Sequence, residues 1–302
     1  MCDYIFFGTG MKFYIVTPTY NALKWLPRCV RSVADQVGEG VEIHHHVQDG
    51  GSTDGAAEWL KSWQTAHQGD AGYTFTYASE KDAGMYDAIN KAWSLLPDDA
   101  AVTAHLNSDE QYLPGSLAEI AGWMSRKTDA EVLLGTYIIV DAENQYICHR
   151  RPVIPRAWSS WLNCACITNS SFYRCESFRR LEPRFDARWR CVSDLVFFRE
   201  LTWKKVRFCT VPVVTSLFVC TGSNLAWTKQ AQDEWMALRA DVPLPVRLFH
   251  GIISRWVNFK RRIVNLFCEP PRRYVAYDAD KPAPLEYIID CPTVIWRKQT
   301  RV

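Results

Sequence analysis

Long apolar runs are missing from this 302-residue chain: no stretch approaches the roughly 18 consecutive apolar residues that a bilayer-spanning helix needs. The opening Met1-Cys2-Asp3-Tyr4 has no basic segment followed by an apolar run, so neither a signal peptide nor a membrane span is predicted. Glycine and proline are modest, 15 of each, and neither low-complexity segments nor internal repeats occur, which excludes unfolded and repeat architectures. The 11 cysteines contain no C-x-x-C pair, so a zinc ribbon and a thioredoxin-like motif are excluded. An odd number of scattered cysteines reads as reduced thiols of a cytosolic protein, and Cys164 with Cys166 is two thiols short of a tetrahedral metal site.

What is present is a globular composition, 48% apolar and 13% aromatic, long enough for one large α/β domain or two small ones. The net charge of +2 hides an asymmetry. Residues 1–150 hold 10 Lys+Arg against 20 Asp+Glu, and residues 151–302 hold 25 against 13, for nets of −10 and +12. The acidic half suits a site that collects a divalent cation, and the basic half suits an anionic surface; charges that merely solvate two faces would give the same pattern.

Strand-then-helix units follow one another from residue 11 to 109. Strand-like runs at 12–17, 41–48, 73–77 and 101–106 each stop at a polar cluster, and the first three lead into helical spacing: Leu23, Leu26, Val30 and Val33; Ala56, Trp59, Leu60 and Trp63; Met85, Ile89, Trp93 and Leu96. This alternation predicts an α/β fold with a mostly parallel sheet covered by helices on both faces, with ligands at the carboxyl ends of the strands. Strands at 131–140, 145–153 and within 206–219 follow, with a helix at about 192–203 and a helical segment through Trp227, Trp235 and Leu238.

Each polar cluster lies at such a strand end. Thr17-Pro18-Thr19-Tyr20-Asn21 sits where backbone N–H groups and a helix start face a phosphate or a base. Asp49-Gly50-Gly51-Ser52-Thr53-Asp54-Gly55 combines turn glycines, a Ser52 or Thr53 helix cap and a crevice-facing acceptor at Asp49. With these, Ser79-Glu80-Lys81-Asp82-Ala83-Gly84-Met85-Tyr86-Asp87-Ala88-Ile89-Asn90-Lys91 and Leu106-Asn107-Ser108-Asp109-Glu110 complete four motifs in order. Together they resemble the family 2 glycosyltransferases of the GT-A fold, and among these the bacterial exopolysaccharide and lipopolysaccharide branch, over residues 12–220.

The resemblance implies an inverting, metal-dependent hexosyltransferase. It places Thr17, Pro18, Tyr20 and Asn21 in the nucleotide pocket, with Asp49 accepting from a uracil-type base and Ser52 beside it. Lys81, Asp82 and Gly84 would lie near the diphosphate. The usual Asp-x-Asp metal motif is here Asn107-Ser108-Asp109: Asp109 inherits Mn²⁺ or Mg²⁺, Asn107 and Ser108 face the donor, and Glu110 offers a second or water-mediated ligand. One carboxylate with phosphate oxygens suffices to neutralise a diphosphate leaving group. A general base for the acceptor hydroxyl follows from Phe185-Asp186-Ala187-Arg188-Trp189-Arg190-Cys191-Val192-Ser193-Asp194: Asp194 is the base, and Asp186 is the fallback, better suited to a turn. The partners implied are a nucleotide-sugar donor, a UDP-sugar in kind, and a glycan or polyprenyl-diphosphate-linked saccharide acceptor, with no nucleic acid.

The expected organisation is a catalytic domain over 11–220, split into a nucleotide-sugar half (11–110) and an acceptor half (111–220), then an extension over 221–302. His44-His45-His46 is read as structural, because successive strand residues face opposite sides. In the extension, Phe249, Ile252, Trp256, Phe259, Ile263 and Phe267 follow helical spacing among Arg247, Arg255, Lys260, Arg261 and Arg262. A basic amphipathic helix over 244–267 either lies on an anionic membrane, making the protein peripheral on the cytoplasmic face of the inner membrane, or packs on the catalytic domain. Two rival functions stay open: a nucleotidyltransferase, which wants a Gly-rich basic loop after the first strand, and a catalytically silent nucleotide-sugar-binding subunit, since Asn107 and Ser193 stand where acids are usual.

Overall fold

The computed structural model describes residues 10–38, 40–162, 167–222, 224–266, 270–278, 281 and 283–295. Cys164, Cys166, Phe267 and the first nine residues lie outside these. The chain opens as expected with β1 (Met11–Thr19), α1 (Leu26–Ala34), β2 (Val41–Asp49), α2 (Ala56–Ala66), β3 (Tyr73–Ser79), α3 (Met85–Trp93) and β4 (Val102–His105). Then come β5 (Gln111–Tyr112), α4 (Ser116–Arg126), β6 (Val132–Asp141), β7 (Tyr146–Arg150), β8 (Ser171–Arg174), α5 (Cys175–Leu181), α6 (Ser193–Trp203) and β9 (Phe208–Cys220). The chain continues through α7 (Lys229–Ala240), α8 (Leu244–Leu248), α9 (His250–Leu266), β10 (Arg273–Ala276) and β11 (Leu285–Ile288).

One sheet runs β3-β2-β1-β4-β8-β6-β9-β5, with β7 on β6. Strands β1 to β4 pair in parallel, β6 pairs in parallel with β9, and β8, β7 and β5 join antiparallel. The alternation of side chains along β1 divides two cores. Phe13 and Ile15 pack with Leu26, Cys29, Val30, Leu60 and Leu117 under α1, α2 and α4. Tyr14 and Val16 pack with Ile89, Trp93, Phe178 and Phe197 under α3, α5 and α6. Both faces are therefore covered, as the apolar strands of a parallel sheet demand.

The histidines of β2 divide the same way. His45 is buried against Tyr73 and Phe75, while His44 and His46 face Thr76 on the other side. Burial lowers His45 to about 3, so it stays neutral.

Residues beyond 270 pack back onto the large sheet as a separate two-stranded sheet, β10 antiparallel to β11. Tyr274, Ala276 and Ile289 share a core with Leu113, Ile138, Val140, Leu217 and Val219. Gln111 exchanges hydrogen bonds with the Tyr277 backbone, accepting at 2.6 Å and donating at 3.2 Å. The 244–267 helix is broken at Phe249 into α8 and α9, where Pro245 opens the first piece. No helix among the described residues is long and apolar enough to cross a membrane.

Candidate active site

Parallel pairing in register brings the strand ends together, with Thr19 beside Asp49 and Asp49 beside Ser79. The Asp49 carboxylate is fully buried and accepts from Ser52 N at 3.1 Å, from the Ser52 hydroxyl, and from the Ser79 hydroxyl at 2.5 Å. Ser52 is thereby committed to Asp49 and to the Asn21 backbone N–H, 2.8 Å away, and does not cap α2; Asp54 accepts the Ala56 N–H instead. Asn21, at φ 47°, accepts from Thr53 N at 2.9 Å, so the loops after β1 and β2 are tied to each other.

The loop after β3 closes over this pair. An added Cβ on Gly50 would stand 2.7 Å from Asp82 Oδ2, so the two residues are in direct contact. Asp82 Oδ1 accepts from Gly84 N at 2.8 Å, and burial is the main force raising its pKa. Lys81 is exposed, with its stem 3.6 Å from the position of a Gly51 Cβ. Tyr20 is 64% exposed at the mouth, and Pro18 is buried in the strand.

Thr17 goes the other way. Its hydroxyl faces the core, 2.9 Å from His45 Nε2 and 3.8 Å from Cys29 Sγ, so it brings no side chain to the crevice. Thr19, on the same strand, was not singled out by the motif reading; its buried Oγ1 has no partner among the described residues.

After β4, Asn107, Ser108 and Asp109 form a turn held from below by Glu110. That carboxylate is buried and accepts from Asn107 N at 2.9 Å and Asn169 Nδ2 at 2.8 Å. Each of its oxygens accepts one hydrogen bond, so this carboxylate braces the turn. Burial first, and then Asp109, raises its pKa well above the ordinary range. Burial also pushes Asp109 up to about 6. The Oδ1 atoms of Asn107 and Asn169 are buried without partners among the described residues.

A positive charge unforeseen in the sequence stands nearby. Arg28, on α1, is 6% exposed and lies 4.3 Å over the Trp25 ring, and its Nε and Nη2 find no hydrogen-bond partner among the described residues. Burial lowers its pKa, while Asp278 and Asp109 oppose that. No spacing rule singles out such an arginine, because its acid partners come from distant segments.

Among the described residues no group of three or more His, Cys, Asp or Glu side chains converges. The oxygens available are the Asp109 carboxylate and the orphaned Asn107 Oδ1. Such hard donors fit Mg²⁺ or Mn²⁺ when phosphate oxygens and water complete the shell.

Asp194 lies half-buried in the first turn of α6, with Oδ1 accepting its own Leu195 N–H at 2.8 Å. The segment before it is clamped from two sides. Asn90 on α3 donates to Phe185 O at 2.8 Å and accepts from Phe185 N at 2.9 Å. Glu234 on α7 accepts from Arg190 N at 3.0 Å and Cys191 N at 2.8 Å. The Phe185 ring stacks on Trp93 at 5.3 Å and on Phe197 at 4.4 Å. Asp186 is held by Arg188 at 2.7 Å, which makes it a turn residue.

A crevice of turns at the carboxyl ends of parallel strands, with the half-buried Asp109 at one end and a helix-borne carboxylate beyond, is the arrangement of the GT-A fold. The glycosyl transferase family 2 profile matches residues 14–183, and the chain belongs to that family. No curated protein sequence matches it. Among solved structures it is similar to S. aureus TarS. The TarS 1-349 fragment in complex with UDP-GlcNAc superposes with a TM-score of 0.58 at 15% identity, covering 76% of this chain and 64% of that one. The same fragment in complex with UDP gives 0.55 at 17% identity, covering 85% of this chain and 74% of that one. Without ligand, the fragment gives 0.54 at 16% identity, and this chain spans 60% of its length. At such identity the likeness establishes the fold.

Proposed function

We propose that the protein is an inverting, metal-dependent glycosyltransferase that moves a sugar from a UDP-sugar to a hydroxyl of a glycan or lipid-linked saccharide in surface polysaccharide synthesis. The observation that carries this reading is the cross-tied crevice of the β1, β2 and β3 loops, with Asp109 at the end of the adjoining β4. The UDP and UDP-GlcNAc held by the TarS fragment support a uridine nucleotide as the donor's base.

In this reading Tyr20, Asn21, Asp49 and Ser52 shape the base pocket, with Pro18 as its wall. Lys81, Asp82 and Gly84 meet the diphosphate, and Asn107 and Ser108 meet the ribose and sugar. Thr17 acts only through the core contacts that fix its strand. Asp109, with the phosphate oxygens, would hold Mn²⁺ or Mg²⁺, which supplies Lewis-acid neutralisation of the leaving diphosphate. Asp194 takes the proton of the acceptor hydroxyl as its oxygen attacks the anomeric carbon. The bond from that carbon to the diphosphate breaks, UDP departs, and the single displacement inverts the centre. The Asn90 and Glu234 clamps hold the base-bearing segment in place during attack.

The test is UDP release from a panel of nucleotide sugars with Mn²⁺, Mg²⁺ or EDTA, comparing wild type with Asp109→Ala and Asp194→Asn. Metal-dependent release that Asp109→Ala abolishes, with transfer strongly slowed by Asp194→Asn, is the expected result. Donor binding without turnover under every condition would instead identify a silent binding subunit.

A further inference from the structure

Helix α9 presents its apolar stripe to solvent. Phe249 is 56% exposed, Ile252 63%, Trp256 40% and Phe259 59%, and Leu244 and Leu248 of α8 are exposed beside them. The helix is held at Val257, which is buried, and at the edge of the stripe, where Trp256 meets Trp158 at 5.1 Å and lies under Lys260 Nζ at 3.7 Å. The rest of the stripe, Phe249, Ile252 and Phe259, is exposed. Contiguous exposed aromatic and aliphatic side chains of this size mark an interaction surface.

Charge selects the occupant. Residues 244–266 contain Arg247, Arg255, Lys260, Arg261 and Arg262 and no Asp or Glu. A second copy would bring two such cationic helices face to face, which like-charge repulsion opposes. An anionic bilayer complements both features, taking the apolar stripe at the acyl boundary and the cations at the headgroups. A second observation suits a headgroup. At the α8–α9 corner a cavity of about 250 Å³ is lined by Leu162, Arg239, Val242, Arg247 and His250, so basic and apolar side chains share it. That set suits a phosphate monoanion attached to a hydrocarbon chain.

We infer that the α8–α9 face is an anionic-phospholipid docking surface, with a lipid phosphate seated between Arg239, Arg247 and His250. None of these residues is among those assigned to the transferase site, and lipid binding is measured without donor or acceptor, so either reading can fail alone.

The experiment is vesicle flotation of the full chain with phosphatidylcholine vesicles, with and without 30% phosphatidylglycerol. Wild type is expected to float with the anionic vesicles only, and less as salt rises. The pair Ile252→Glu and Phe259→Glu is expected to abolish flotation. The pair Arg239→Gln and Arg247→Gln is expected to weaken it about thirtyfold, as for two surface cations removed. Donor-driven UDP release and the melting temperature serve as folding controls and should stay at wild-type values in all variants. Equal flotation with neutral vesicles, no flotation with anionic ones, or a dimer in sedimentation that Phe259→Glu dissolves would overturn the inference.

Discussion

Replacing Gly50 with alanine tests whether the loops after β2 and β3 act as one nucleotide clamp. Gly50 is not among the glycines with positive φ, so the backbone itself tolerates a side chain. The new Cβ would meet Asp82 Oδ2 at 2.7 Å, and ordinary contact requires the carboxylate to retreat by about 0.7 Å. That movement stretches the 2.8 Å hydrogen bond from Gly84 N, whose loss costs about 1 kcal/mol of stability. On a chain of this size the melting temperature should fall by about 2 °C. In the proposed pocket Asp82 accepts from an N–H or hydroxyl of the nucleoside, and losing that charge-assisted hydrogen bond costs a further 1.5–3 kcal/mol or so, roughly a 10- to 150-fold weaker UDP complex. Titration calorimetry with UDP and Mn²⁺ reads this directly, and a double-mutant cycle isolates the cause. In an Asp82→Ala background, Gly50→Ala should weaken UDP no further. A loss of equal size in both backgrounds would refute the clamp and leave only a general disturbance of the turn.

Asp109 gives a pH signature. Its pKa is raised by burial to about 6, so its ionised form opposes folding: the penalty is absent below about pH 4 and grows as pH rises through 6. Asp109→Asn should therefore raise the melting temperature by about 2–4 °C at pH 7.5 and leave it unchanged at pH 4, with Mn²⁺ stabilising only the wild type; differential scanning calorimetry at the two pH values checks this. Asn90→Ala removes both hydrogen bonds to the Phe185 backbone and should cost about 1–3 kcal/mol in urea denaturation. In steady-state kinetics the same variant should lower kcat for transfer while donor KM stays put, because the clamp orients the base and touches no nucleotide.

The four strand-end motifs were legible because β1 to β4 are apolar runs that end abruptly at turn residues, a local signal that sheet pairing only has to respect. Strand β5 was not legible. Its two residues, Gln111 and Tyr112, carry no periodicity, and their place is decided by Leu217 and Ser216 more than a hundred residues on. The same distance hid Arg28, whose neighbours are Asp109 and Asp278, and the return of β10 and β11 to the sheet. The core-facing hydroxyl of Thr17 and the bracing contacts of Glu110 were hidden for a related reason: a motif names residue types at a strand end, but which way each side chain faces depends on parity along the strand and on donors such as Asn169 that arrive from elsewhere.

The exchange of hydrogen bonds between Gln111 and the Tyr277 backbone has a consequence for synthesis. Gln111 is fully buried next to the acidic turn, yet its partner leaves the ribosome 166 residues later. Until then the amide and the apolar surface of Leu113, Ile138 and Leu217 lack their cover. The nascent sheet must therefore wait, partly uncovered, for the β10–β11 pair, and the interval is one in which chaperones or aggregation compete for the half-built chain.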